Sequence, residues 1–283
     1  MYPVIDDEFL KNRPLSYSSL KAFRQSPKHY LEYLISPRVP SDAMVLGSAV
    51  EKLLLYDRSE FDREFRVYEL SSSRRTKAGA EEWEQLVANA SANKLTLLTR
   101  EMFEEVKVIV AALRDSIELK PFLDGIVRRR QRLSWTDTGT QLPLIGYTDW
   151  DAKVAGQLFI VDLKVMRSSD PEDFAKDAFK YDYPIQIGSY LQGYKYTKYA
   201  FPEFLFVVAE SSAPYNVTLM RVDDAYKEYC TNEFLGTLRA FRYCLNHNLF
   251  SQGYEFRLMG LMPFFGLDKP AWGKVRFGEY NCE

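Results

Sequence analysis

Apolar side chains recur at helical spacing through the first 120 residues and at strand spacing through the next hundred. In LSYSSLKAFRQSPKHYLEYLI (15–35), Leu20, Phe23, Tyr30, Leu31 and Leu34 share a stripe that Pro27 interrupts. VLGSAVEKLLL (45–55) predicts a second helix, with Gly47 and Ser48 near its start. Residues 71–79, SSSRRTKAG, offer no apolar anchor and read as a polar basic loop. Helices are expected near 80–92 and 99–118; in the latter Met102, Val106, Ile109, Val110, Leu113 and Ile117 keep the 3.6-residue period, and Pro121 follows. A strand near 126–135 leads through TDTGTQLP into IGYTDWDAKVAGQLFIVDLKV (145–165). Asp170-Pro171-Glu172-Asp173 supplies an N-cap, a first-turn proline and first-turn acids, so helices follow near 171–180 and 184–199. Strands at 203–210 and 215–222 and a long helix at 223–246 complete an α/β pattern, and the aromatic tail from 250 to 283 takes no assignment. Without repeats or a long linker, the chain reads as a single domain over 1–283. Its parts are mainly helical (1–120), a sheet with helices (121–222), and a C-terminal helix and tail (223–283).

Composition narrows the chemistry. With 46% hydrophobic and 15% aromatic residues in 283, the chain can bury a large core. Lys and Arg number 37 against 39 Asp and Glu, a net charge of −2, so any polyanion partner must meet a local positive surface. There is no run of 18 apolar residues, and the start lacks the basic-then-apolar plan of a signal peptide; the expectation is a cytoplasmic chain without a membrane partner. Three cysteines (Cys230, Cys244, Cys282) without a CxxC pair give neither a disulfide framework nor a four-thiolate metal site. With two histidines, His29 and His247, catalysis would fall to carboxylates, lysine and a hard metal.

A hairpin over 147–165 with its turn at Ala155-Gly156 concentrates those groups. Opposed positions then sum to 311. One face carries Trp150, Ala152 and Val154 against Phe159, Val161 and Leu163. The other carries Tyr147, Asp149, Asp151 and Lys153 against Lys164, Asp162, Ile160 and Leu158. This register sets Asp149 opposite Asp162, with Cβ atoms roughly 4.5–5.5 Å apart. Two such carboxylates repel unless one binds a proton or a cation lies between them. Lys164 projects on the same face, two residues beyond Asp162. Oxygen ligands of this kind favour Mg²⁺ or Mn²⁺. A D-x-K triplet on a strand is also a common solvated edge. The facing acid, the apolar back face and the capped helix that follows favour a site.

At these residues the chain resembles the PD-(D/E)xK nuclease superfamily, with Asp149 as first acid and Asp162-Leu163-Lys164 as the (D/E)xK element; Thr148 stands where the proline would. More narrowly it resembles RecE-type exonucleases, such as exodeoxyribonuclease VIII and its phage relatives. LSYSSLKAFRQSPKHYLEYL is similar to their opening helix, and VLGSAVEKLLL to their G-x-A-x-H helix, with Glu51 in place of His. SSSRRTKAGAEEW is similar to their basic loop, YDYPIQIGSYLQGY to their Tyr-x-x-Gln-x-x-x-Tyr helix (Tyr183, Gln186, Tyr190), and LDKPAWGK to a C-terminal segment.

The resemblance implies a central mixed β-sheet flanked by helices. It also implies Mg²⁺-dependent 5′→3′ hydrolysis of double-stranded DNA ends, with Mn²⁺ able to substitute. Glu51, Asp149, Asp162 and the Leu163 carbonyl would hold the metal. Lys164, Asp162, Asp149, Gln186 and Tyr190 would form the catalytic set. Ser19, Arg24, Arg74, Arg75 and Lys77 are candidates for a 5′-phosphate site, because guanidinium binds phosphate bidentately. Arg128, Arg129 and Arg130, on a strand, cannot all share one face and receive no role. A homo-oligomeric ring, a single-strand annealing partner and a phage or prophage setting are further implications. A single-strand-specific or endonucleolytic relative, and a non-catalytic DNA-binding scaffold of the same fold, are the alternatives.

Overall fold

The computed structural model describes residues 2–258, apart from 38 and 199; LDKPAWGK and the rest of the tail lie outside the described residues. Chain order begins with α1 (Asp7–Asn12), α2 (Tyr17–Gln25), α3 (Pro27–Ile35), α4 (Asp42–Leu55), α5 (Arg58–Asp62), β1 (Phe65–Tyr68), α6 (Lys77–Ala92) and β2 (Thr96–Thr99). It continues through α7 (Arg100–Asp115), α8 (Lys120–Asp124), β3 (Ile126–Arg129), β4 (Arg132–Thr136), β5 (Pro143–Tyr147), β6 (Trp150–Val154) and β7 (Gln157–Met166). It closes with α9 (Pro171–Lys180), α10 (Tyr183–Lys198), β8 (Glu203–Glu210), β9 (Val217–Arg221) and α11 (Asp224–Asn246), then a 3₁₀ turn (Tyr254–Leu258).

Short polar side chains set most helix starts. Ser26 caps α3 ahead of Pro27, and Asp170 accepts the Glu172 and Asp173 amides at the start of α9, as its sequence predicts. α6 begins at Lys77, earlier than its apolar period suggests, because the Thr76 hydroxyl accepts the Gly79 amide. The helix expected to run to 118 ends at Asp115, and Pro121 sits in the first turn of the short α8.

A five-stranded sheet in the order β3-β6-β7-β8-β9 forms the middle layer, parallel at β7–β8 and antiparallel elsewhere. β8 shows how it is covered. Phe204, Phe206 and Val208 enter a core with α2, α3, α9, α10 and α11, while Leu205, Val207 and Ala209 enter another with α4, α5 and α7. Burial on both faces explains the unbroken apolar run of this strand. Among the described residues, no helix is long and apolar enough to cross a membrane.

The β6–β7 hairpin has the expected register, from Trp150↔Val161 to Val154↔Gln157. Its turn residues Ala155 (φ 48°) and Gly156 (φ 85°) both take the positive φ of a twist-matched two-residue turn. Two expectations change. The strand near 126–135 is broken at Arg130, whose φ is 49°: β3 joins the central sheet, and β4 pairs with β5 in a separate ribbon. Tyr147 therefore lies opposite Arg132 instead of Lys164, and the β6–β7 ladder starts at Trp150, one residue past Asp149.

α10 is wedged between α11 and the β4–β5 ribbon, and its glycines permit the approach. A Cβ at Gly188 would stand 2.4 Å from the Cys230 carbonyl oxygen, which is backbone and cannot yield cheaply. One at Gly47 in α4 would meet nothing within 4 Å. Gly188→Ala is expected to cost about 1–3 kcal/mol through overpacking, whereas Gly47→Ala should be neutral or stabilise by up to about 1 kcal/mol. Urea denaturation of the two variants checks this contrast, which equal midpoints would contradict.

Candidate active site

The site forms where the chain leaves the β4–β5 ribbon and enters the central sheet. Thr148 and Asp149 make that passage, so Asp149 escapes strand alternation. Its Oδ2 accepts the Leu163 amide at 2.8 Å. This corrects the facing-pair geometry: Asp149 reaches across to the backbone of β7 from beyond the end of the ladder. The two acids still act on each other. Burial first, then repulsion from Asp162 and Glu51, pushes the Asp149 carboxyl well above the ordinary range.

Asp162 is 1% exposed and Lys164 stands beside it on β7, their side chains paired as ions. α10 completes this group. Gln186 donates through Nε2 to Asp162 Oδ1 at 2.7 Å, and its Oε1 accepts from Lys164 Nζ at 3.2 Å. One amide thus orients both charged partners. Tyr190, one turn on, lies 3.4 Å from Gln186 Nε2 through its hydroxyl. Burial raises the Asp162 carboxyl against the pull of Lys164 and Gln186. For Lys164, burial favours loss of the proton, but Asp162 and Asp149 outweigh it and hold the ammonium charged. Tyr190 is pushed up by burial and then by both aspartates, so its phenol stays neutral. Lys164 Nζ also sits 4.7 Å from the centre of the Tyr183 ring.

Glu51 arrives from α4, on the other side of the sheet. Burial raises its carboxyl; Arg130 opposes the shift, and Asp162 adds to it. A cavity of about 520 Å³ opens beside Glu51 and Asp149, with Ser48, Lys94, Arg130 and Tyr147 also on its walls.

The donor set suits a hard divalent cation: three carboxyls whose pKa values confinement raises, and a buried Asp162 Oδ2 with no hydrogen bond beyond its ion pair with Lys164. Among the described residues, no three His, Cys, Asp or Glu side chains are already gathered at metal-ligand spacing. Asp149 is instead held by the Leu163 amide, and Asp162 by Gln186 and Lys164.

Of the 5′-phosphate candidates, Ser19 and Arg24 lie on α2, whose Tyr17 and Lys21 are within electrostatic reach of Asp162 and Lys164. Ser19 closes a capping box, its Oγ accepting from the Ser16 amide at 2.8 Å and donating to the Ser16 carbonyl at 2.9 Å. Arg24 binds Asp182 at 3.0 Å, Thr237 at 3.0 Å and Glu233 at 3.2 Å, clamping α2 to α11 and to the turn before α10. Both are thus engaged in holding the fold together. Arg74 lies 3.4 Å over the Trp83 ring, while Arg75 and Lys77 are exposed around the start of α6, Lys77 lying 4.0 Å from Glu81.

Periodicity gave no sign of Arg130 at the cavity, because arginine carries no signature of a positive-φ break. Asp151, placed by the alternation on the polar face, is fully buried. There it accepts from the Tyr194 hydroxyl and from Thr148 Oγ1 at 3.1 Å, with Arg128 3.6 Å away. It fastens α10 to β6, and burial raises its carboxyl.

Asp149, Asp162 and Lys164, the residues at which the sequence resembles the PD-(D/E)xK pattern, thus meet on a mixed α/β scaffold. The chain belongs to a family described as a PDDEXK-like domain of unknown function (DUF3799), whose model matches residues 16–253, and so to the PD-(D/E)xK nuclease superfamily. Among solved structures, it is similar to a candidate exonuclease from Eubacterium rectale, with a TM-score of 0.58, 17% identity, and coverage of 94% of this chain and 93% of that one. A second structure, SSO0001, is 12% identical over 68% of this chain and 83% of its own; its TM-score of 0.27 carries no argument. No curated protein matches the chain.

The raised carboxyls make the metal-free site a local cost to stability. The folded state binds protons more tightly than the unfolded chain, so in chelator its stability falls as pH rises through the ordinary carboxylate range and into the raised one. Asp149→Asn keeps an acceptor for the Leu163 amide and removes the charge. In EDTA at neutral pH it is expected to stabilise the fold by about 0.5–2 kcal/mol. The gain should vanish below about pH 4, where Asp is protonated even when unfolded. Urea titrations at the two pH values check this, and a variant no more stable than wild type at neutral pH would contradict it.

Proposed function

We propose that the protein is a RecE-type, Mg²⁺-dependent 5′→3′ exodeoxyribonuclease acting at double-stranded DNA ends. Its product would be a 3′ single-stranded overhang for a strand-annealing partner. The observation that carries the reading is the closed contact among Asp162, Gln186 and Lys164, with Asp149 and Glu51 within electrostatic reach. Family membership and the description of the Eubacterium rectale protein as a candidate exonuclease support it.

Glu51, Asp149, Asp162 and the Leu163 carbonyl would hold the cation. When bound, a divalent cation supplies positive charge to the scissile phosphate and acidifies the attacking water. The protein's own contribution is positional and electrostatic. Lys164, kept protonated by its acidic neighbours, donates to a phosphate oxygen as negative charge grows there. Its proposed role is electrostatic stabilisation. Gln186 fixes the distance between Lys164 and Asp162, and Tyr190 supports Gln186 as a neutral hydroxyl. The Leu163 amide holds Asp149 in register with the β7 backbone. No side chain need act as a covalent nucleophile, in keeping with the scarcity of His and Cys.

Digestion of a linear duplex labelled at the 5′ or the 3′ end tests the reading. The expected result is release of 5′-terminal nucleotides with Mg²⁺, abolished by EDTA. Asp162→Ala and Lys164→Ala should each lower kcat by roughly 10²–10³-fold or more, and Gln186→Ala should lower it less. Activity persisting in folded Asp162→Ala and Lys164→Ala proteins would refute the site. Absence of cleavage with either Mg²⁺ or Mn²⁺ would refute the activity.

A further inference from the structure

The cavity beside Glu51 and Asp149 is walled in part by two cations that close no salt bridge among the described residues. Lys52, also on the wall, is paired with Glu64 at 2.6 Å. Lys94 and Arg130 form no ion pair among the described residues. Arg130 stands apart from its neighbours in the Arg128-Arg129-Arg130 run: Arg128 lies 3.6 Å from the buried Asp151, whereas the break at Arg130 places it on the cavity wall. An arginine at φ 49° is uncommon and marks a position worth explaining. Its amide donates to the Asp149 carbonyl at 2.8 Å, so the anchor and the first acid are tied through backbone. The Tyr147 ring, 45% exposed on the same wall, has its centre 5.9 Å from the Arg130 guanidinium.

We infer that this cavity receives one nucleotide of the DNA strand being cut, with Arg130 anchoring its phosphate and the Tyr147 ring stacking on its base. The inference rests on the nuclease reading above and names a binding site for that reaction. Three properties carry it. Guanidinium is a bidentate phosphate ligand, and Arg130, although its charge acts on Glu51 across the cavity, closes no salt bridge among the described residues that would occupy its donors. An exposed aromatic face next to a cation is the pairing that holds single-stranded nucleotides. A volume of about 520 Å³ is on the scale of a small-molecule pocket, suiting one nucleotide rather than a duplex. The backbone link to Asp149 then sets the held phosphate at a fixed offset from the acids. Arg130 is therefore a positioning residue: it sets which phosphodiester lies over Asp149 and Asp162.

The test measures binding apart from cleavage. Fluorescence anisotropy of an end-labelled duplex with a short single-stranded tip, titrated with salt in EDTA, reports phosphate contacts. Arg130→Ala and Arg130→Gln keep the backbone bond to Asp149, and melting curves verify the fold. Both are expected to weaken binding about tenfold and to reduce the log–log salt slope by about one. Arg130→Lys should keep the slope and recover part of the affinity. Tyr147→Ala should lose affinity without changing the slope, and Arg221→Ala, on the far edge strand, should change neither. With Mg²⁺, Arg130→Ala should raise KM about tenfold with kcat within about threefold of wild type.

Unchanged affinity and slope in Arg130→Ala, with a wild type that cleaves DNA, would overturn the nucleotide site and leave the nuclease reading standing. A wild type that binds through Arg130 but cleaves nothing with Mg²⁺ or Mn²⁺ would do the reverse. A wild type that neither binds nor cleaves would remove both.

Discussion

The structure depends on keeping several carboxyls in a confined space where their repulsion is only partly offset. Asp149, Asp162 and Glu51 are all driven toward protonation by burial, and for Asp149 repulsion from Asp162 and Glu51 adds to it. Lys164 is the internal counterion, and it stays charged only because the acids surround it. Neither sign could be buried alone without a cost of several kcal/mol. The surrounding architecture serves this balance. β7 is a central strand with a partner on each side, α10 brings the amide that orients the pair, and the departure of β5 from the sheet frees Asp149 to turn inward.

Much of this was legible in sequence because it follows from side-chain period and short-range caps. The alternation in 150–163 set the hairpin register, and Asp170-Pro171 marked the start of α9. The four-residue spacing of Gln186 and Tyr190 put both on one helix face, and the family resemblance implied that this face meets the charged pair, as it does. What escaped was decided by longer-range geometry. Residues 126–135 carry no Gly, Pro or Asn to announce that β3 and β4 belong to different sheets. Once the chain changes sheets at Thr148, alternation no longer says where Asp149 points. The structural partners of Ser19 and Arg24, a capping box for one and the turn before α10 together with α11 for the other, likewise follow from contacts that period does not show. Asp151, which period places on the polar face of the hairpin, is interior, where the Tyr194 hydroxyl and Thr148 bond it.

The parallel pairing of β7 with β8 has a consequence for how function is acquired. Between those strands run α9 and α10, so the connection carrying Gln186 must cross over before β8 can pair. α10 in turn rests on the phenylalanines of β8, with the Tyr183 and Phe206 rings 5.6 Å apart and those of Tyr190 and Phe204 6.3 Å apart. Delivery of the Gln186 amide to Lys164 therefore depends on the same β7–β8 pairing and α10 packing that close the sheet, through contacts far apart along the chain. A nascent or partly unfolded polypeptide carries the acids and the lysine without the geometry that aligns them. The aligned arrangement of Asp162, Lys164 and Gln186 thus belongs to the folded chain alone.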